Sequence, residues 1–485
     1  MSAEPIAAPL SPPSTPSPLP PPNDASVREE ISERADTVWT GSARRPAVTA
    51  VGRAALRGTH GRVALVDGCR TPFAKSGTDL QHMDVVDLAS SAAGELIART
   101  GIDPTEIDLS VFGCVIPALH APNLGREVVF RLSLPHDVVG TTVNLACASS
   151  NRAMTFGAEA ILAGEAEVVL AGGAESLSNV PILFSKNASR MFMALGKAKT
   201  LPQKLAAIAK LRPADLAPVA PAIAEYTTGQ TMGESAEKMA KENAISRRAQ
   251  DEIALMSHHR AAAAQGDGRF AEQIATVFPP PGYDRPVGKD NGVRAETSME
   301  ALAKLKPVFD RRYGTLTAGN SSPLTDGGSA VLLMSEDKAK ALGFRPLGYL
   351  RSYAFAAVDP ANQLLQGPAY AAPAALDAAG VTLADLDLVE MHEAFAAQIL
   401  SNLKGFASGK FAREELGRSA PLGVVDLDKF NVTGGSLSIG HPFGATGARA
   451  AIQLLSELRR RNANLGLLTV CAAGGTGFAM VFERE

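Results

Sequence analysis

The chain is poor in cysteine, poor in aromatic residues and free of long apolar runs. Its four cysteines, Cys69, Cys114, Cys147 and Cys471, lie far apart, with neither the pairing of a disulfide framework nor the spacing of a metal site. They read as reduced thiols in a cytoplasmic compartment. Aromatic residues make up 5% of the sequence and the net charge is only -3, so no basic excess points to nucleic acid. No apolar stretch approaches the roughly 20 residues of a membrane span. The N-terminus lacks the basic start and apolar core of a secretory signal. Its first basic residue is Arg28, after Glu4, which argues against a transit peptide. What remains is an ordinary globular profile, 46% hydrophobic over 485 residues, enough for two or three domains around a large core.

Residues 1–60 read as a disordered, proline-rich tail. Pro12, Pro13, Pro16, Pro18 and Pro20 to Pro22 favour an extended PPII chain. Arg28 to His60 is charged and irregular, with some helix. The globular part then alternates. Strand patterns at Arg62–Asp67, Ile107–Phe112, Thr141–Leu145 and Val168–Ala171 are separated by a helix over Asp84–Arg99 and one after Cys147. The C-terminal third repeats this order: strand Leu347–Ser352, helix Pro373–Gly380, strand Leu386–Glu390, helix Ala448–Arg460, strand Leu467–Val470. The pattern predicts an α/β fold of two similar halves with parallel-type sheets covered on both faces and a site between them. One half takes residues 61–180 and 314–345, the other 346–485.

Residues 181–313 break the repeat and read as a loop domain. Gly233–Asn243 and Ser246–Gln265 look helical, with His258 and His259 as surface residues. Pro181 to Pro213 carries Lys186, Arg190, Lys197, Lys199, Lys204, Lys210 and Arg212 and no acidic residue. Leu201, Leu205 and Ile208 recur at helical spacing, so two short basic amphipathic helices are expected. Such a segment suits an anionic lipid surface or a protein partner; it also suits a loop packed on its own subunit.

Cys147 stands at a strand-to-helix junction, on a helix's first turn. Free N–H groups and the helix dipole favour a thiolate there, and the same N–H groups suit an oxyanion. Alone, Cys147 reads more readily as a buried core thiol, the commoner fate of a single cysteine. His441 lies in a glycine-rich loop before a helix. His392 and Cys471 follow strands, where open α/β sheets bind ligands. Each has a bland reading as a turn residue, a helix-start histidine or a core thiol. Together they suggest an activated thiol nucleophile with a second cysteine as proton carrier.

Four ordered motifs, Asn144-Leu-Ala-Cys147, Gly314-Thr-Leu-Thr-Ala-Gly-Asn-Ser-Ser322, Gly440-His-Pro-Phe-Gly-Ala-Thr-Gly447 and Cys471-Ala-Ala-Gly-Gly-Thr-Gly477, resemble the thiolase family from about Arg62 onward. His392-Glu-Ala-Phe replaces the Asn-Glu-Ala-Phe of most thiolases. With Pro181-Ile182 and Glu225-Tyr-Thr-Thr-Gly-Gln-Thr-Met-Gly-Glu234, it resembles the thiolase subunit of the fatty-acid oxidation trifunctional complex. The resemblance implies a thiolase-like fold with α-β-α-β-α layers. It implies cleavage of a 3-ketoacyl-CoA by CoA, through an acyl-cysteine, in fatty-acid β-oxidation. Cys147 would be the nucleophile, His441 its activator, and Cys471 the general acid and base. His392 would hold the thioester oxygen through water, and the N–H groups of Cys147 and Ala473 would form an oxyanion hole. Most thiolases have glycine where Ala473 stands. Ser322 would touch the pantetheine of CoA. No metal or cofactor is implied beyond CoA as substrate. The expected partners are CoA and acyl-CoA, a second copy or more of the chain, a hydratase–dehydrogenase subunit, and a peripheral membrane contact through 181–213. Three alternatives stay open: acetoacetyl-CoA synthesis by the same residues in reverse, a decarboxylating ketoacyl synthase, which would carry a second histidine at position 471, and a thiolase-shaped scaffold without activity.

Overall fold

The computed structural model describes residues 24–42, 45–52, 55–209, 211–219 and 224–485. The principal strands are β1 (Ala47–Val51), β2 (Gly61–Arg70), β3 (Leu109–Gly113), β4 (Val139–Val143), β5 (Val168–Glu175), β6 (Thr325–Ser335), β7 (Gly348–Ala357), β8 (Leu388–Met391), β9 (Leu465–Ala472) and β10 (Thr476–Glu483). The helices that pack on them are α1 (Ala25–Ser32), α2 (Val85–Thr100), α3 (Leu124–Arg131), α4 (Ser149–Ala163), α5 (Lys186–Lys197), α6 (Leu201–Ile208), α7 (Met232–Glu242), α8 (Arg247–Gly266), α9 (Gly367–Ala379), α10 (Ala396–Ala407), α11 (Ser436–Ile439) and α12 (Thr446–Arg461).

β5 and β6 are buried along their whole length. Such strands lie inside a sheet covered on both faces and read as near-continuous apolar runs. The strand order is β8-β9-β10-β7-β2-β6-β5-β3-β4, with β1 added beside β7. β2 and β7 join only over Ala64–Leu65 against Gly348–Tyr349. On either side of that seam the halves match: β2-β6-β5-β3 corresponds to β7-β10-β9-β8. α4 and α12 lie between the halves, where Met154 and Ile161 share a core with Ile452, Leu455 and Phe478. α2 and α3 cover the outer face of the first half, and α9 and α10 that of the second. The result is a five-layer α-β-α-β-α arrangement.

The sheets are mixed rather than parallel, which corrects the sequence reading. β6 runs antiparallel to β2 and β5, and β10 antiparallel to β7 and β9. Each is the strand that closes its half after the last crossover. β9 and β10 form a hairpin, so β9 is not the final strand. α9 starts at Gly367, with Pro368 in its first turn and Pro373 inside it. Proline at 373 removes one internal bond, and burial of α9 between β7 and β10 offsets that loss.

The expectation of disorder up to residue 60 fails from Asp24 onward; the proline-rich segment itself lies outside the described residues. α1 buries Val27 and Ile31, and β1 pairs with β7 from Ala47–Ala357 to Val51–Tyr353. Lys404 of α10 is fully buried, and its Nζ donates to Glu30 Oε2 at 3.1 Å, Thr37 Oγ1 at 2.6 Å and the Asn243 carbonyl at 2.8 Å. Apolar residues scattered among many charges give too weak a pattern to mark this strap in the sequence. His258 is likewise buried rather than exposed, because α8 packs against α1, α10 and α11. Its Nδ1 accepts from the Arg294 N–H at 3.2 Å, and burial pushes its pKa down to about 4.

Glu30→Ala should destabilise the fold by about 3–5 kcal/mol, because it leaves the Lys404 charge buried without its carboxylate. The denaturation midpoint reads this, and Glu30→Leu combined with Lys404→Met should recover most of the loss.

Candidate active site

Strand ends and helix starts from both halves converge beside Cys147. The residue lies between β4 and α4, and the preceding Ala146 takes φ 46°, a left-handed conformation uncommon outside glycine. Ser149 holds this elbow: its Oγ accepts from the Leu145 N–H at 2.9 Å and donates to the Ala146 carbonyl at 2.7 Å. α4 begins at Ser149, so the sulfur sits just ahead of the helix rather than on its first turn. The backbone N–H groups of Cys147 and Ala473 both point at Sγ. They favour a thiolate, but desolvation outweighs them and pushes the thiol up to about 12. The resting group is a neutral thiol, not the thiolate that the helix end alone suggested.

His441 arrives from the other half. Gly440, at φ 113°, lets the chain turn against β6; a Cβ there would meet Thr325 Cγ2 at 2.4 Å. His441 Nε2 lies 3.1 Å from Cys147 Sγ, and its Nδ1 lies 2.6 Å from Thr446 Oγ1 at the start of α12. Burial, reinforced by the Arg449 charge, pushes its pKa down to about 3. His441 is therefore neutral and able to take the thiol proton.

Cys471 is fully buried in β9, and burial, then the neighbouring Cys147, raises its thiol well above the usual range. The turn after it uses Gly475 at φ 68°, where a Cβ would meet the Val358 carbonyl at 2.3 Å. Gly474 N–H donates to Glu225 Oε2 at 2.8 Å, so the loop domain holds this turn. His392 follows β8. Its N–H donates to the Thr469 carbonyl at 2.9 Å, and its ring centre lies 4.2 Å from that of His441. Glu393 braces the segment, accepting from Ser257 Oγ at 2.6 Å, Asn431 Nδ2 at 2.7 Å and the Leu437 N–H at 3.1 Å. Ser322 lies farther out and is half-buried. Its N–H donates to the Ala394 carbonyl at 3.0 Å, on a segment whose Leu324 pairs with His441.

Cys147, His392, His441, Cys471 and the Ala473 N–H thus share one site. Cys147 Sγ and one ring nitrogen from each histidine lie within 4.8 Å of one another. That spacing encloses a carbonyl group, and by ligand type it also suits a soft ion such as Zn²⁺.

Sequence reasoning missed several supports. Glu175, at the end of β5, is wholly buried. It accepts from the N–H groups of Val115 at 3.1 Å, Ile116 at 2.8 Å and Gly444 at 3.0 Å. It ties the His441 loop to the first half, and burial raises its carboxyl to about 7. Its position at a strand end was the only available signal. Ser436 and Arg449, beside His392, carried none.

The thiolase N-terminal domain family matches residues 63–337, and the thiolase C-terminal domain family matches 344–484. The chain belongs to the thiolase family. The 3-ketoacyl-CoA thiolase of Pectobacterium atrosepticum is 53% identical over 422 residues, 87% of this chain and 96% of its own. That of Serratia proteamaculans is 52% identical over 427 residues, covering 88% and 98%. Human mitochondrial 3-ketoacyl-CoA thiolase in complex with CoA superposes with a TM-score of 0.74 at 30% identity, covering 89% of this chain and 99% of that one. The Bacillus anthracis acetyl-CoA acetyltransferase gives 0.74 at 32%, covering 87% and 98%.

Of the four cysteines, only Cys147 is not fully buried. Iodoacetamide should inactivate the protein by labelling Cys147, with acyl-CoA protecting it; inactivation that tracks Cys69 or Cys114 would contradict this. Because the thiol is pushed up to about 12, the labelling rate should climb with pH across roughly pH 6 to 9 without a plateau, following the thiolate fraction.

Proposed function

We propose that this thiolase is a 3-ketoacyl-CoA thiolase of fatty-acid β-oxidation. It cleaves a 3-ketoacyl-CoA with CoA into acetyl-CoA and an acyl-CoA shortened by one acetyl unit. The observation that carries the reading is Cys147 Sγ at 3.1 Å from His441 Nε2, with the Cys471 thiol beside it on a thiolase frame.

Cys147 attacks the C3 ketone while its proton passes to His441 Nε2. The C3 oxyanion is held by the N–H groups of Cys147 and Ala473. The C2–C3 bond breaks, and the departing acetyl-CoA enolate is held through its thioester oxygen by His441 and His392. Cys471 supplies the proton to C2. The resulting Cys471 thiolate then takes the thiol proton of the incoming CoA, whose sulfur attacks the acyl-cysteine; Cys147 leaves as a thiolate and regains its proton from His441 Nε2. One residue serving as acid and then base suits a step that creates a carbanion and a step that creates a thiolate. Ser322, on the segment beside His441, contacts the pantetheine arm. CoA is a substrate, and no further cofactor takes part.

The same residues run the synthetic direction, but relatives above half identity bear the 3-ketoacyl-CoA thiolase name, which supports degradation. The scaffold reading has no support, since every reacting group is present. A homodimer or larger assembly belongs to this reading: β4 is an open sheet edge, and its Val139 is 63% exposed. Four free cysteines suit a reducing cytoplasm. No helix among the described residues is long and apolar enough to cross a membrane.

We also read 181–213 as a peripheral membrane surface, in the manner of a trifunctional-complex thiolase subunit. α5 and α6 form there, and α6 buries none of its residues: Leu201 is 69% and Leu205 59% exposed. Exposed apolar side chains among seven basic and no acidic residues suit an anionic lipid surface, where each charge adds about 1 kcal/mol.

Two measurements test these readings. Cys471→Ser should still accept an acyl group on Cys147, but turnover of short- to long-chain 3-ketoacyl-CoAs should fall by about 10²–10⁴-fold; near-normal turnover would remove Cys471 from proton transfer. The protein should co-sediment with anionic vesicles at low salt and not at high salt, and lose binding when Lys197, Lys199, Lys204 and Lys210 become Glu. Capture of a hydratase–dehydrogenase subunit without vesicle binding would assign the surface to a protein instead.

A further inference from the structure

His392 is 1% exposed, and its Nε2 has no hydrogen-bond partner among the described residues. Its Nδ1 lies 3.0 Å from Ser436 Oγ, at the start of α11. Ser436 Oγ has a second neighbour, Arg449 Nη2 at 3.0 Å. Arg449 is wholly buried on α12, and its Nη1 is spent on Glu390 Oε1 at 3.1 Å and Gln453 Oε1 at 3.0 Å.

These contacts fix the protons. A guanidinium only donates, so Ser436 Oγ accepts from Arg449. Among the described residues, the hydroxyl's single proton then has one acceptor within reach, His392 Nδ1. Were Nδ1 itself protonated, the Ser436 O–H would be buried with no acceptor, an arrangement that folded proteins avoid. A neutral imidazole that accepts at Nδ1 carries its proton on Nε2. The ring stays neutral because burial opposes an imidazolium, and the charge of Arg449 adds to that.

We propose that Ser436, oriented by Arg449, is a positioning residue that locks His392 as the Nε2–H tautomer, a fixed donor to the thioester oxygen of the substrate. The proposal rests on the reading of His392 as an oxyanion donor. It separates the two histidines. Thr446, the partner of His441 Nδ1, has no donor-only neighbour among the described residues, so its hydroxyl either donates or accepts and His441 remains free to carry a proton either way. His392 is not free. With its proton on Nε2, His392 offers a donor rather than a lone pair, which suits an oxyanion pocket.

The test uses the full-length protein labelled with ¹⁵N-histidine, the His392 signals being assigned by their loss in His392→Ala. Solid-state NMR should find Nδ1 bare and Nε2 protonated in the wild type, and Nδ1 protonation gaining in Ser436→Ala. Ser436→Ala should lower kcat by about 10–10²-fold with little change in KM, part of the 10²–10³-fold typical of a lost oxyanion donor. Ser436→Thr, which keeps the hydroxyl, should restore most of it. In a His392→Ala background, Ser436→Ala should have no further effect on kcat, whereas a merely structural role would still slow the enzyme. A protonated Nδ1 in the wild type, or equal loss in both backgrounds, overturns the proposal. A normal kcat for His392→Ala would instead overturn the oxyanion reading, and the spectrum would still decide the tautomer.

Discussion

Cys147 and His441 are 294 residues apart in the chain and 3.1 Å apart in space. Each comes from a different half, so neither half can hold the site alone. The seam between β2 and β7 and the paired helices α4 and α12 bring the two strand-end loops together. Glu175 then pins the His441 loop to the first half through the Gly444 N–H. The Ala146 elbow and the left-handed Gly440 are local distortions that aim the two side chains at each other. Strain of this kind persists where the surrounding structure overdetermines it.

Desolvation sets the electrostatics of that contact. It pushes the Cys147 thiol up to about 12 and His441 down to about 3, so the resting pair is neutral. Charge becomes affordable only when a substrate oxygen receives it beside donors already in position. The buried polar groups nearby, the Arg449 guanidinium against Glu390 and the Glu175 carboxyl against three backbone N–H groups, have these partners before substrate arrives. The site is thus built from fixed dipoles around groups that change charge only transiently.

The parts outside the two halves also bear on this junction. The strap from α1 to β1 closes over α10 and β7 in the second half. The loop domain reaches the turn after Cys471 through Glu225 and the Gly474 N–H. A segment that the sequence set apart from the repeat therefore shapes the active-site wall, while α6 faces outward.

The sequence by itself determined the two halves, the order of most strands and helices, and the candidate residues Cys147, His441 and Cys471 that the fold brings together. Periodicity, glycine-rich turns and four ordered motifs are local features, and local features survive in a string of letters. Only the tertiary structure decided the mixed sheet, because β6 and β10 take their direction from partners far away in the chain. It alone decided the burial of His258 and of the strap, since burial depends on what packs from outside a segment. It also decided the charge state of Cys147, where desolvation by the whole fold outweighs the helix end that the sequence displays. The roles of Ser436 and Arg449 lie at the far end of that scale: a serine and an arginine in helices say nothing until a third helix position, a strand end and a histidine ring meet around one proton.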